Sequence, residues 1–96
     1  MTQSLSVIQS HSFKKAVKKL HKNQKADLDA AVRTIIDNPH LGVQKVGDLS
    51  VVCFYKFKML KQLTLLAYQI DDGQLILTLL MVGAHEKFYR DVKLIL

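Results

Sequence analysis

Five side chains in this 96-residue sequence have types suited to work on a phosphate ester: Lys56, Lys58, His85, Tyr89 and Arg90. Histidine fits proton transfer because its ordinary pKa lies near neutrality. Ammonium groups stabilise charge that develops on phosphate, and a guanidinium can grip phosphate through two hydrogen bonds. Tyr89 follows His85 by four residues. In a helix the two share a face, where the phenol offers a hydroxyl or a ring on which a base can stack. Lys56 and Lys58 are two apart, so on a strand they point the same way. Each residue also has a plainer reading. A histidine that starts a short helix serves as a surface or capping group, and Tyr89 can close a core edge beside Phe88. Strand lysines are solvated, or guard a sheet against aggregation. His11, His21 and His40 are scattered and Cys53 is the only cysteine, so neither a metal site nor a cofactor is expected. Set in Val51-Val52-Cys53-Phe54, Cys53 reads as a small buried hydrophobe.

The elements that must position these residues follow from the apolar spacing. Leu5, Val7 and Ile8 predict a short first strand at an edge. Ser10 or Ser12 then caps a helix whose apolar stripe is Phe13, Ala16, Val17 and Leu20, with Lys14, Lys15, Lys18, Lys19 and Lys22 on the opposite face. Leu28, Ala31, Val32, Ile35 and Ile36 make a second stripe that Asn38-Pro39 must end, which gives a two-helix hairpin. Residues 39–47 read as a loop with extended pieces. Three strands are predicted over 49–59, 63–70 and 75–82, forming an antiparallel meander. On the first of them Tyr55 and Phe57 share one face, and Phe54, Lys56 and Lys58 the other. The link at Lys61-Gln62 joins the first two strands. Asp71-Asp72-Gly73 joins the last two, and its Asp-Gly step predicts the positive φ of a tight hairpin. The third run is apolar on both faces, so it is expected to be the most buried strand and the centre of the sheet. His85 follows it and belongs at the sheet rim. Beyond Gly83 the chain predicts one or two helical turns before Leu94-Ile95-Leu96. The order is β-α-α-β-β-β-α: an α+β domain with a two-helix hairpin on a mainly antiparallel four-stranded sheet, closed by a short C-terminal helix. The pattern leaves the direction of the first strand open.

Composition bounds the function. Ninety-six residues suit one domain over 1–96, since a single core is built from roughly 50–200 residues. Hydrophobic residues make up 49% and charged residues 23%, a balance that excludes a disordered chain. No apolar run approaches the roughly 20 residues of a bilayer span, and the start Met-Thr-Gln-Ser-Leu-Ser has no export signature. A soluble cytoplasmic protein with no membrane partner is expected. Fourteen Lys and Arg against eight Asp and Glu give a net charge of +6, which suits a polyanionic partner or simply a soluble basic surface.

The element order and several segments resemble the RelE/ParE toxins of type II toxin–antitoxin systems along essentially the whole chain. The segments are Asn38-Pro39-His40-Leu41-Gly42, Gly47-Asp48-Leu49 leading into 52–58, Leu66-Ala67-Tyr68, and Gly83-Ala84-His85-Glu86-Lys87-Phe88-Tyr89-Arg90-Asp91. The Gly, the His two residues on and the aromatic four beyond it are similar to the C-terminal end of the YafQ-like ribosome-dependent ribonucleases. Other histidines expected of that group have no counterpart on the middle strands. The resemblance implies a RelE-like fold and a metal-independent mRNA endoribonuclease that inhibits translation. His85, Tyr89, Lys56, Lys58 and Arg90 would then surround the cleaved phosphate. The alternative it admits is a ParE-like inhibitor of DNA gyrase that is not an enzyme, because fold does not decide function, and His85 tips the reading towards the ribonuclease. It also admits a member that has lost its catalytic set and only binds its antitoxin. Its implied partners are a cognate antitoxin, the ribosome and mRNA (or gyrase), and operator DNA reached only through the antitoxin complex. Leu94-Ile95-Leu96 and the helical hairpin are the candidate antitoxin contacts.

Overall fold

The computed structural model describes residues 5–44 and 52–84. Its elements are β1 (Ser6–Gln9), α1 (His11–Lys18), α2 (Lys22–Asp37), β2 (Val43–Gln44), β3 (Cys53–Met59), β4 (Gln62–Asp71) and β5 (Ile76–Ala84). The expected C-terminal helix and the Leu94-Ile95-Leu96 tail lie outside the described residues, as do positions 49–51 of the first predicted meander strand.

The architecture is the expected α+β, but the sheet has five strands rather than four, in the order β1-β5-β4-β3-β2. The extra strand is β2, which pairs antiparallel with β3 through Val43↔Phe54 and Gln44↔Cys53. Two residues carry no readable periodicity, so the sequence alone gives a loop there. β1 runs parallel to β5 from Ser6↔Ile76 to Gln9↔Leu79, while β3–β4 and β4–β5 are antiparallel. With β2 added on one side, β4 and not β5 is the middle strand, and it carries the unbroken buried run 64–68. α1 packs against β5, whose Leu77, Leu79 and Val82 join the main core while Leu80 joins a second buried cluster, which accounts for its apolar character on both faces.

Ser10 joins β1 to α1 and explains where the helix begins. Its hydroxyl accepts from the Phe13 N–H at 3.1 Å, the N-cap bond, and donates to the Leu80 carbonyl at 2.6 Å. Leu80 is the extra residue of a β-bulge, since Ala67 opposes Met81 and Tyr68 opposes Leu79. The cap hydroxyl thus satisfies a carbonyl that the bulge takes out of register. α2 opens with the Gln24 side-chain oxygen accepting from the His21 N–H at 2.8 Å and stops at Asn38, one residue before Pro39.

α1 packs on β5 and α2 on β3, covering one face of the sheet. Phe13, Leu28 and Ile35 from the helices meet Leu66, Tyr68, Leu77, Leu79 and Val82 in the main core. On the other face Val52, Phe54, Leu65, Ala67 and Leu80 form a second buried cluster.

Tyr68 connects the main core to the loop after α2. The side chain is fully buried; its hydroxyl donates to the Pro39 carbonyl at 2.7 Å and accepts from the Gly42 N–H at 2.9 Å. Gly42 lies so close that a Cβ there would come within 2.9 Å of the Tyr68 ring carbons. Two separate segments of the sequence, 38–42 and 66–68, are therefore halves of one contact. The Cys53 thiol sits beside the phenol, and burial pushes the pKa of both groups up from ordinary values of 9.0 and 10.0. An acid whose folded pKa is raised binds its proton more tightly when folded. Stability from this pair is full below those ordinary values and falls as pH rises through them. Cys53 is thus a buried thiol, as its context predicts.

Both hairpin turns differ from expectation. The β4–β5 loop runs 72–75 between Asp71 and Ile76, and its left-handed residue is Leu75 at φ 56°, not Gly73. The loop is four residues long, and the positive φ expected at the Asp-Gly step falls two residues later. The β3–β4 turn is Leu60-Lys61, between Met59 and its partner Gln62. Both of its residues are left-handed, at φ 50° and 72°.

Candidate functional site

Lys56 and Lys58 are exposed on β3 and point to the sheet face away from the helices, as their spacing predicts. Lys56 opposes Leu65 on β4, and Leu65 opposes Gly83 on β5. In the next row Phe57 opposes Thr64, and Thr64 opposes Ala84. The lysines and the end of β5 therefore share one end of the sheet, two strand spacings or roughly 10 Å apart. A lysine stem is long enough for its ammonium to cover much of that gap. His85 is the next residue after Ala84, but His85, Tyr89 and Arg90 lie outside the described residues. Of the five candidates, the structure brings two together on one face and places the last described residue before a third at the same sheet end.

The same end contains a small cleft. Leu20 and Gln24 from the α1–α2 junction, Gln62 and Thr64 from β4, and Gly83 and Ala84 from β5 line it. Thr64 is a buried polar residue, with its hydroxyl donating to the Gln62 carbonyl at 3.1 Å. Around the cleft the surface is cationic. Lys18, Lys19, Lys22 and Lys25 are exposed at the helical junction, and Lys58 and Lys61 at the β3–β4 hairpin. Asp71 and Asp72 occupy the opposite end of β4, where Asp72 Oδ1 meets His40 Nε2 at 3.0 Å. Among the described residues the exposed lysines thus gather at one end of the strands, with Asp27 beside the turn there, and such a concentration of positive charge attracts polyanions.

Lys61 is a member of this group that the five candidates do not include. The expected link at 61–62 already contained Lys61; the turn at 60–61 keeps it at the hairpin tip and moves Gln62 into β4. His40 is paired with Asp72 at the far end of the sheet and takes no part in the candidate site. Among the described residues no cluster of three or more metal-ligating side chains occurs, and no helix is long and apolar enough to cross a membrane.

Comparisons with known proteins extend this picture. The fold is similar to that of a mutant E. coli toxin RelE in the free state, with a TM-score of 0.73 and 18% identity over 98% of this chain and 100% of that one. It is also similar to a chain of the intact E. coli RelBE toxin–antitoxin complex (TM-score 0.69, 19% identity, 86% and 99% coverage). A chain of the RelBE2 toxin–antitoxin complex from Mycobacterium tuberculosis is similar too (TM-score 0.68, 18% identity, 86% and 100% coverage). At such identities the likeness establishes the fold alone. No curated protein matches in sequence. The sequence model of the family described as the ParE-like toxin of type II bacterial toxin–antitoxin system matches residues 7–93. That match spans nearly the whole chain, which therefore belongs to the ParE-like toxins of type II bacterial toxin–antitoxin systems.

Proposed function

We propose that this toxin is a metal-independent, ribosome-dependent mRNA endoribonuclease acting in the cytoplasm. The observation that carries the reading is the sheet end where Lys56 and Lys58 face the same way and the described part of β5 reaches Ala84, one residue before His85. In the proposed reaction the 2′-hydroxyl of the target nucleotide passes its proton to solvent water as it attacks its own phosphate, forming a 2′,3′-cyclic phosphate. The bond to the 5′-oxygen of the next nucleotide then breaks. Lys56, Lys58 and Arg90 stabilise the charge on the phosphorane, His85 gives a proton to the leaving 5′-oxygen, and the Tyr89 ring stacks on a base. The cationic end around the cleft holds the RNA backbone.

The partners in this reading are mRNA on the ribosome, a cognate antitoxin, and operator DNA bound only through the antitoxin complex. Two of the similar folds come from RelBE toxin–antitoxin complexes, which supports the antitoxin. The second reading is a ParE-like inhibitor of DNA gyrase without catalytic activity, and the description of the matching family favours it. Such an inhibitor has no need of proton-transfer and phosphate-stabilising groups at one sheet end. A direct test incubates purified chain with a defined mRNA, with and without programmed ribosomes, and maps the new 5′ ends. Cuts at codon-phased positions only in the presence of ribosomes are expected. Intact mRNA under both conditions would remove the nuclease reading.

A further inference from the structure

The Leu60-Lys61 turn is built from residues that its geometry disfavours. Both are left-handed, and a two-residue turn of this kind is most readily made by Asn-Gly, because a Cβ clashes in that conformation. Leu60 is 49% exposed, and Leu63 nearby is 42% exposed. Neither leucine therefore gains the burial that would offset its placement. The turn is nonetheless held in position, as the Leu60 N–H donates to Asp27 Oδ2 on α2 at 2.9 Å. A backbone kept in a costly conformation, displaying side chains that contribute little to the fold, points to use outside the fold.

The surroundings indicate what is contacted. Lys61 at the hairpin tip and Lys22 and Lys25 at the start of α2 are exposed at this end, Lys58 is exposed on the hairpin's other face, and a cleft lined in part by Gln24, Met59 and Gln62 lies at the same end. Of the carboxylates in the first half of α2, Asp27 is occupied by the turn itself, and Asp29 is exposed. We propose that the β3–β4 hairpin tip is an RNA-contacting element, with Leu60 and Leu63 packing against the face of an unpaired base and the lysines holding the flanking phosphates. An unpaired base presents an apolar face and two flanking anions, the complement of this tip. The inference rests on RNA being the target of the toxin.

The test uses the full chain carrying Leu60→Asn or Lys61→Gly, with thermal unfolding measured alongside binding of a labelled single-stranded RNA and of purified ribosomes. Both substitutions suit a left-handed backbone, and each is expected to raise the melting temperature by roughly 3–8 °C. Leu60→Asn keeps the charge, yet is expected to weaken RNA and ribosome binding by roughly tenfold. A variant that melts higher and binds RNA unchanged overturns the assignment. Lower melting of both overturns its premise of a costly turn. Retained RNA affinity with lost binding of the neutralising protein would give the tip to that protein instead. If the wild type binds neither RNA nor ribosomes, the nuclease reading fails first and this inference fails with it.

Discussion

Replacing His85 with alanine is expected to slow ribosome-dependent mRNA cleavage by roughly 10²–10⁴-fold, the usual worth of a positioned proton donor or acceptor. The effect should fall on the rate of the bound complex and not on affinity, because the proton moves only in the transition state. Lys56→Ala and Lys58→Ala supply the comparison. Both residues are exposed on β3, so neither substitution should lower the melting temperature appreciably. A lysine that stabilises the phosphorane should cost roughly 10²–10³ in rate, whereas one that only holds backbone phosphate should weaken binding and flatten its salt dependence. Single-turnover cleavage at saturating ribosomes, beside a binding curve at two salt concentrations, separates these outcomes. Unchanged toxicity in the His85→Ala and double-lysine variants would take the chemistry away from this sheet end.

Replacing Tyr68 with alanine is expected to destabilise the fold by roughly 3–5 kcal/mol, the range for deleting a large core aromatic. That is a large part of the roughly 5–15 kcal/mol that holds a small domain together. Truncation opens the main core and also leaves the Pro39 carbonyl and the Gly42 N–H without their partner. Tyr68→Phe isolates the second effect. It keeps the ring and should cost only about 1–3 kcal/mol, the penalty for leaving buried polar groups unpaired. Urea unfolding of both variants checks the ordering. Equal losses would mean that the hydroxyl, and not the ring, carries the contribution.

The helices were legible because their apolar residues recur at helical spacing and their ends carry known signals: Ser10 before α1, Asn38-Pro39 after α2. The meander was legible for the same kind of reason. What the sequence concealed was non-local or chemically unmarked. β2 is too short to show a period, and the parallel direction of β1 depends on the path of the whole chain. The bulge at Leu80 lies inside an apolar run whose residue types do not announce it. A Leu-Lys turn has none of the Gly or Asn that marks such a conformation, so the link was read one residue too late, at Lys61-Gln62. The site was readable in part. Period-two spacing correctly put Lys56 and Lys58 on one face, but only strand register shows that they share an end of the sheet with Gly83 and Ala84. Tyr68 shows the converse: a segment that resembled the family proves to be one half of a structural contact whose other half lies 26 to 29 positions away.

The nuclease reading turns on what the toxin does inside a cell. Wild-type chain expressed from a tightly repressed promoter, with mRNA 5′ ends mapped and DNA supercoiling measured in the same culture, decides it. Codon-phased cuts with normal supercoiling are the predicted result; arrested growth with intact mRNA and blocked supercoiling would contradict it and make the protein a gyrase inhibitor.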